Sequence, residues 1–179
     1  MKKHSIFLFI AFLTLNISCE KTDEPVDDIR FNEIDKVIIG ENRDTIGNLI
    51  FEIYNENNSL QARLLHVVPD IPIDCDCGSE VIINPETGNV NAYKEGESIS
   101  GNYNSRDYIN WGNNYSLDNF KGGGNLYIGS MSLNFSTGEM IYKYSWIKIN
   151  LSQNSDTLRI IETAYNNTEN KPILAGQKE

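Results

Sequence analysis

The chain has 179 residues and a formal net charge of −10 at pH 7. An acidic balance of this size argues against nucleic acid as a partner, because phosphate binding depends on Lys and Arg. The length beyond the first 30 residues fits one domain of ordinary size with a real hydrophobic core.

The first 18 residues carry the pattern of a secretory signal. Lys2 and Lys3 precede an apolar run over residues 6–15, and the small residue Ser18 stands directly before Cys19. The run is about ten residues long, well short of the roughly 20 that cross a bilayer as a helix. We therefore predict a signal peptide over residues 1–18, with cleavage between Ser18 and Cys19.

A cysteine directly after the small residue resembles the lipobox of bacterial lipoproteins, in the relaxed form found in Bacteroidota. The resemblance implies that the Cys19 thiol receives a diacylglyceryl group and that the new amine is acylated, with palmitate-type chains. Two or three such chains hold a protein stably on a bilayer. The predicted location is the bacterial envelope, at the outer membrane or the cell surface. The alternative is an ordinary secreted protein cleaved nearby, in which Cys19 is incidental.

Residues 19–30 are predicted to be a flexible acidic tether. Residues 21–28 are polar and charged and contain Pro25, so they cannot bury enough apolar surface to offset the entropy of ordering. The folded domain is then expected over residues 31–179.

Short strands separated by Asn, Gly, Asp and Pro follow from Phe31 onward. The segments with the clearest patterns are residues 48–54, 59–68, 80–83, 125–135, 140–151 and 157–165. The last three are joined by short polar turns and predict an antiparallel meander. No window carries a sustained helical apolar stripe. We predict an all-β fold, a single antiparallel β-sandwich of jelly-roll-like type.

The stretch from Gly101 to Gly124 is predicted to be a long loop or a loop-covered strand. Tyr108, Trp111 and Tyr115 lie in it among Asn, Gly and Ser. Flat rings beside amides suit sugar binding, and long loops often carry function. These three residues are the candidate ligand-binding set. The alternative is that the rings pack against the sandwich with their polar ends in water.

Four pieces of the last third resemble a group of exported bacterial β-domains with "YIG", "YGWI", "AYN" and "PIxAG" segments. They are residues 127–129, 144–147, 164–166 and 172–176, and Ser145 replaces the usual Gly. Residues 96–99 are similar to a "GDxI" segment that precedes them in that group. The resemblance implies a β-sandwich attached to, or released from, the cell surface, and it implies no particular activity.

Cys75 and Cys77 are a disulfide candidate, since an exported protein meets oxidising conditions. Two inert thiols are a second interpretation, and a third is a redox role of the Cys75–Cys77 bridge or a metal site that uses both thiolates and His66. Structural zinc wants four ligands with wider spacing, so we predict no metal and no cofactor.

No catalytic motif is present, and we predict no catalytic residue. The favoured function is a membrane-anchored, non-catalytic binding or accessory module for a glycan or a surface protein. A purely structural envelope lipoprotein is the first alternative. A glycoside-type hydrolase with paired carboxylates is the second.

Overall fold

The computed structural model describes residues 27–66, 78–84, 86–101, 114–134 and 141–179. Ser18, Cys19, Cys75, Cys77, Tyr108 and Trp111 lie outside these described residues, so the predictions made for them remain predictions. Within the described part, the backbone is almost entirely extended, and the all-β prediction is confirmed. No helix in this part is long and apolar enough to span a bilayer.

Two antiparallel sheets pack together. The large sheet has the strand order β1-β11-β10-β9-β5, and β6 also pairs with β9. The second sheet has the order β2-β3-β4-β8, and a small ladder joins β7 to β12. The strands are β1 (Ile29–Ile39), β2 (Asn42–Ile46), β3 (Leu49–Glu56), β4 (Ser59–His66), β5 (Gly78–Val81), β6 (Ala92–Tyr93), β7 (Ser98–Ile99), β8 (Asn114–Ser116), β9 (Asn125–Asn134), β10 (Ile141–Leu151), β11 (Thr157–Asn166) and β12 (Ile173–Leu174).

The main core lies between the two sheets. Burial alternates along strand β3: Leu49, Phe51 and Ile53 are buried, and the residues between them are half-buried. Successive side chains of a strand point to opposite faces, so this strand turns one apolar face inward. The central strand β10 supplies Ile147, Ile149 and Leu151 to the same core.

A second, smaller core covers the outer face of the large sheet. Tyr144 and Trp146 of β10 point away from the second sheet and pack with Ile99 and Ile173 of the β7–β12 ladder. Strand β10 is therefore buried on both faces over this length. This explains why its sequence is apolar at both parities rather than at alternate positions.

Strand β1 begins at Ile29, so the last two residues of the predicted tether belong to the first strand. Ile29 pairs with Asn166 and Arg30 pairs with Tyr165. Cross-strand pairing supplies the contacts that this polar segment lacks by itself. Asp28, another residue of the predicted tether, is also bound to the domain, since its backbone N–H donates to the Thr168 hydroxyl.

Candidate functional site

A row of side chains crosses the outer face of the large sheet near one end. Asn125 of β9, Asn150 of β10 and Arg159 of β11 are consecutive cross-strand partners, and Val37 of β1 completes the row. Cross-strand partners point to the same face, and strands lie about 4.8 Å apart, so the row is about 14 Å long. The Asn150 side-chain amide donates to Asn125 Oδ1 at 3.0 Å.

A β-bulge aims Asp35 at this row. Asp35 has φ +48°, and the register of β1 against β11 shifts between Glu33 and Lys36. Bulges re-aim side chains in this way. Both Nε and Nη2 of Arg159 donate to Asp35 Oδ1, at 3.1 and 2.7 Å. The pair is exposed, so it orders the guanidinium more than it stabilises the fold.

An open groove of about 510 Å³ follows the row. Ser152, Thr157 and Ile161 add two hydroxyls and one partly exposed apolar side chain to its lining. Ile161 is the extra residue of a register shift between β10 and β11, because Lys148 pairs with Glu162 while Ile149 pairs with Ile160. The groove thus joins amide, hydroxyl, guanidinium and carboxylate groups, which together both donate and accept hydrogen bonds.

A buried charge cluster lies one row further along the same face. Glu162 is 7% exposed. Its carboxylate accepts from Lys148 Nζ at 3.0 Å and from Lys178 Nζ at 2.7 Å. Burial raises the pKa of Glu162, but the hydrogen bonds from Lys178 and Lys148 outweigh this, and the net shift is downward.

The pKa of Lys148 is also shifted so that its charged form is favoured. Burial lowers its pKa, yet hydrogen bonds with Glu162 and Tyr127 leave it above its ordinary value. Its Nζ lies 5.4 Å from the centre of the Tyr127 ring, and Lys178 Nζ lies 4.2 Å from that of Phe31. The charged members of the cluster thus pair with one another, and none of them lines the groove.

Residues 171–179, which we call the C-terminal strap, cover the outer face of the large sheet next to this charge cluster. The Trp146 indole N–H donates to the Gln177 carbonyl at 3.2 Å. Gly176 has φ +86°, and a Cβ at this position would lie 2.9 Å from the Tyr127 hydroxyl. A side chain there would be both strained and obstructed, so the strap needs glycine at this point.

The start of the domain is fastened to the same strap. Asp27 lies 3.0 Å from Lys171 Nζ and accepts from the Gln177 and Asn166 side-chain amides at 3.3 Å each. Arg159 and Asn166 are seven residues apart on β11, so the groove lies about 24 Å along the strand from this attachment. The chain therefore enters the domain at the end opposite the groove.

Residues from the segments 127–129, 144–147, 164–166 and 172–176 meet in the second core. Tyr127, Trp146 and Ala164 are buried there with Ile173 and Ala175. Asn166, fully buried, donates to the carbonyls of Lys171 and Pro172. In this chain these pieces therefore hold the C-terminal strap on the sheet.

Of the predicted ligand-binding residues, Tyr115 alone belongs to the described part of the chain. It lies on β8, pairs with Leu64, and is 6% exposed within the main core. A ring in this position offers no face to a ligand, so this side chain follows the packing alternative. The reason is local, because Tyr115 and Leu117 alternate inward at the end of the loop.

The groove residues escaped the sequence analysis because they are common polar residues in strands distant along the chain. One signal was available. Asn125 and Asn150 are polar positions on the parity that otherwise carries Tyr127 and Trp146. Polar residues where a covered aromatic face ends indicate that the face opens to solvent there.

Comparisons with protein-family models, with curated proteins and with solved structures find no match to this chain.

Proposed function

We propose that this protein is an envelope-anchored lipoprotein whose domain binds a glycan in the groove on the outer face of the large sheet. The observation that carries the proposal is the row of Asn125, Asn150 and Arg159 with Asp35 at its end. Sugar hydroxyls both donate and accept hydrogen bonds, and the groove offers partners of both kinds. A protein partner would favour an aromatic anchor pocket, and the groove's described lining contains no aromatic residue.

The position of the groove supports its use on an anchored protein. Seven residues separate Cys19 from Asp27, and the eight steps from one to the other span at most about 28 Å. Asp27 is fastened to the C-terminal strap, at the end of the sheet away from the groove. A lipid on Cys19 would therefore attach the domain at the end opposite the groove, so that the groove can face away from the bilayer.

Replacing Asn150 with alanine tests the binding site. Asn150 is partly exposed at the centre of the row, and losing its two hydrogen-bonding atoms should weaken glycan binding about tenfold. Screening on an oligosaccharide array followed by calorimetric titration measures this. The matched control is Asn32→Ala, an exposed asparagine of β1 near the other end of the sheet. Equal affinity of Asn150→Ala and wild type would remove the groove from consideration.

Replacing Cys19 with alanine tests the anchor. The wild-type protein should sediment with membranes and carry two or three acyl chains on its mature first residue, since one chain alone binds only marginally. The Cys19→Ala protein should remain in the soluble fraction. Mass spectrometry of the mature N-terminus and membrane fractionation measure both properties. An unmodified wild-type terminus would reject the lipoprotein assignment while leaving the groove open to test.

A purely structural envelope role is the second candidate, and one observation favours it. The sequence pieces that resemble exported β-domains place Tyr127, Trp146 and Asn166 in buried packing positions. A wild-type protein that is membrane-bound and binds no saccharide on the array would support this role instead.

A further inference from the structure

An apolar patch adjoins the polar row of the groove. Val37 is 50% exposed and Ile39 is 69% exposed, both on β1. Val37 pairs with Arg159 and Ile39 pairs with Thr157, so both side chains lie on the same face as the groove. Cross-strand partners have Cβ atoms about 5 Å apart. A ligand lying along the row would therefore meet these methyl groups at one end.

These two residues are unusual for an edge strand. The rest of β1 carries features that keep an edge strand from pairing with other chains, namely the bulge at Asp35 and the Lys36 side chain, which reaches Asp44 of β2 at 2.7 Å. Charges and bulges are common on exposed edges, whereas large β-branched side chains are not. Contacts among the described residues leave Val37 and Ile39 exposed.

The groove is close to neutral although the chain is strongly acidic. The Arg159 guanidinium is matched by the Asp35 carboxylate at 2.7 Å, and the remaining lining consists of amides, hydroxyls and Ile161. A neutral lining favours a neutral ligand, because an ionic one would leave an unmatched charge in the groove. The ligand should therefore combine hydroxyl or amide groups with a small apolar group and carry no charge.

We propose that the ligand is an oligomer of N-acetylated amino sugars. This inference rests on the proposed glycan-binding function and names its ligand class. An acetamido group has one hydrogen-bond donor and one acceptor, which the Asp35 carboxylate and the Arg159 guanidinium complement at the β1 end of the row. Its methyl group needs an apolar contact, which Val37, the cross-strand partner of Arg159, and Ile39 offer at the same end. Neutral sugars without the acetyl group would form hydrogen bonds with the Asn125 and Asn150 amides and would leave Val37 and Ile39 exposed to water.

Calorimetric titration with the trimer of N-acetylglucosamine and with the matching glucose trimer tests the inference. The wild-type protein should bind the acetylated trimer about tenfold more tightly, which corresponds to one buried methyl group and one added hydrogen bond. The double variant Val37→Ser, Ile39→Ser should reduce this preference to about threefold, because only the added hydrogen bond remains, and should keep its affinity for the glucose trimer. Both positions are exposed, and circular dichroism should show an unchanged fold.

The matched control is Leu174→Ser, an apolar residue that is 45% exposed on the C-terminal strap, and it should keep the preference. Equal binding of the two trimers by the wild-type protein would overturn the ligand class and leave the proposed function standing. Retention of the full preference by the double variant would likewise overturn it. Binding of neither trimer, nor of any other saccharide on the array, would overturn both proposals.

Discussion

Replacing Trp146 with alanine should lower the free energy of unfolding by about 4 kcal/mol, the largest effect that we expect from any single change. Trp146 is fully buried at the centre of the second core. Its ring meets Tyr127 edge to face, with centroids 5.3 Å apart, and lies 6.4 Å from the ring of Phe31. Alanine would leave a large cavity and also remove the hydrogen bond to Gln177 that fixes the C-terminal strap.

Urea unfolding followed by far-UV circular dichroism measures this loss. Domains of this size are commonly stable by 5–15 kcal/mol, so the variant should still fold in buffer. Trp146→Phe is the matched control, because it keeps an aromatic ring and loses the indole N–H. It should cost about 1–2 kcal/mol. A loss below about 1 kcal/mol for Trp146→Ala would show that the strap and its core contribute little to the fold.

Replacing Glu162 with alanine should cost about 3 kcal/mol at pH 7, because it leaves the largely buried Lys148 ammonium without its partner. The exposed fraction of the side chain is 9% for Glu162 and 18% for Lys148. Chemical denaturation compares this variant with Asp44→Ala, which breaks the ion pair with Lys36, in which both side chains are 39% exposed. An exposed pair contributes at most about 1 kcal/mol. Equal losses for the two variants would contradict the structural importance of the cluster.

The pH dependence of the Glu162 effect has a definite sign. The pKa of Glu162 in the folded protein lies below its ordinary value of 4.5. The folded state therefore favours the charged carboxylate, and this contribution is present above the unfolded pKa and lost as the pH falls through the folded one. The difference in stability between wild type and Glu162→Ala should accordingly shrink below about pH 4.5. If the stability difference between wild type and Glu162→Ala instead grew as the pH fell, the folded protein would hold Glu162 in its neutral form.

Much of the fold follows from local pattern. The segments predicted over residues 125–135, 140–151 and 157–165 became β9, β10 and β11 within a residue or two at each described end. Their patterns are strong because β10 and β11 lie in the middle of the sheet. A tight connection after β5 also depends on local chemistry, because the Gly88 backbone N–H donates to the Asn84 carbonyl and Gly88 has φ +70°, which glycine adopts without strain.

The second core and the groove could not be predicted from local pattern. Strands β7 and β12 are two residues each, too short to show any periodicity, and they pair across more than 70 residues. The groove needs Asp35, Asn125 and Arg159 to meet through pairings of β1, β11, β10 and β9. Such long-range register is decided by the packing of the whole sheet. The bulge that turns Asp35 toward Arg159 has no signature in the residues around it.

The prediction for the aromatic loop shows the same limit. Tyr108, Trp111 and Tyr115 lie in one polar stretch of the sequence, and its composition predicts the same role for all three. The structure places Tyr115 in the core, since β8 pairs with β4 and turns this side chain inward. Composition describes a segment as a whole, whereas burial is decided residue by residue.

The most direct measurement is a calorimetric titration of wild type, Asn150→Ala and Trp111→Ala with the saccharide that binds the wild type most tightly. If the glycan lies across the outer face of the large sheet, Asn150→Ala should bind about tenfold more weakly and Trp111→Ala should match the wild type. The reverse pattern, with binding lost in Trp111→Ala and kept in Asn150→Ala, would contradict the account and assign recognition to the aromatic loop.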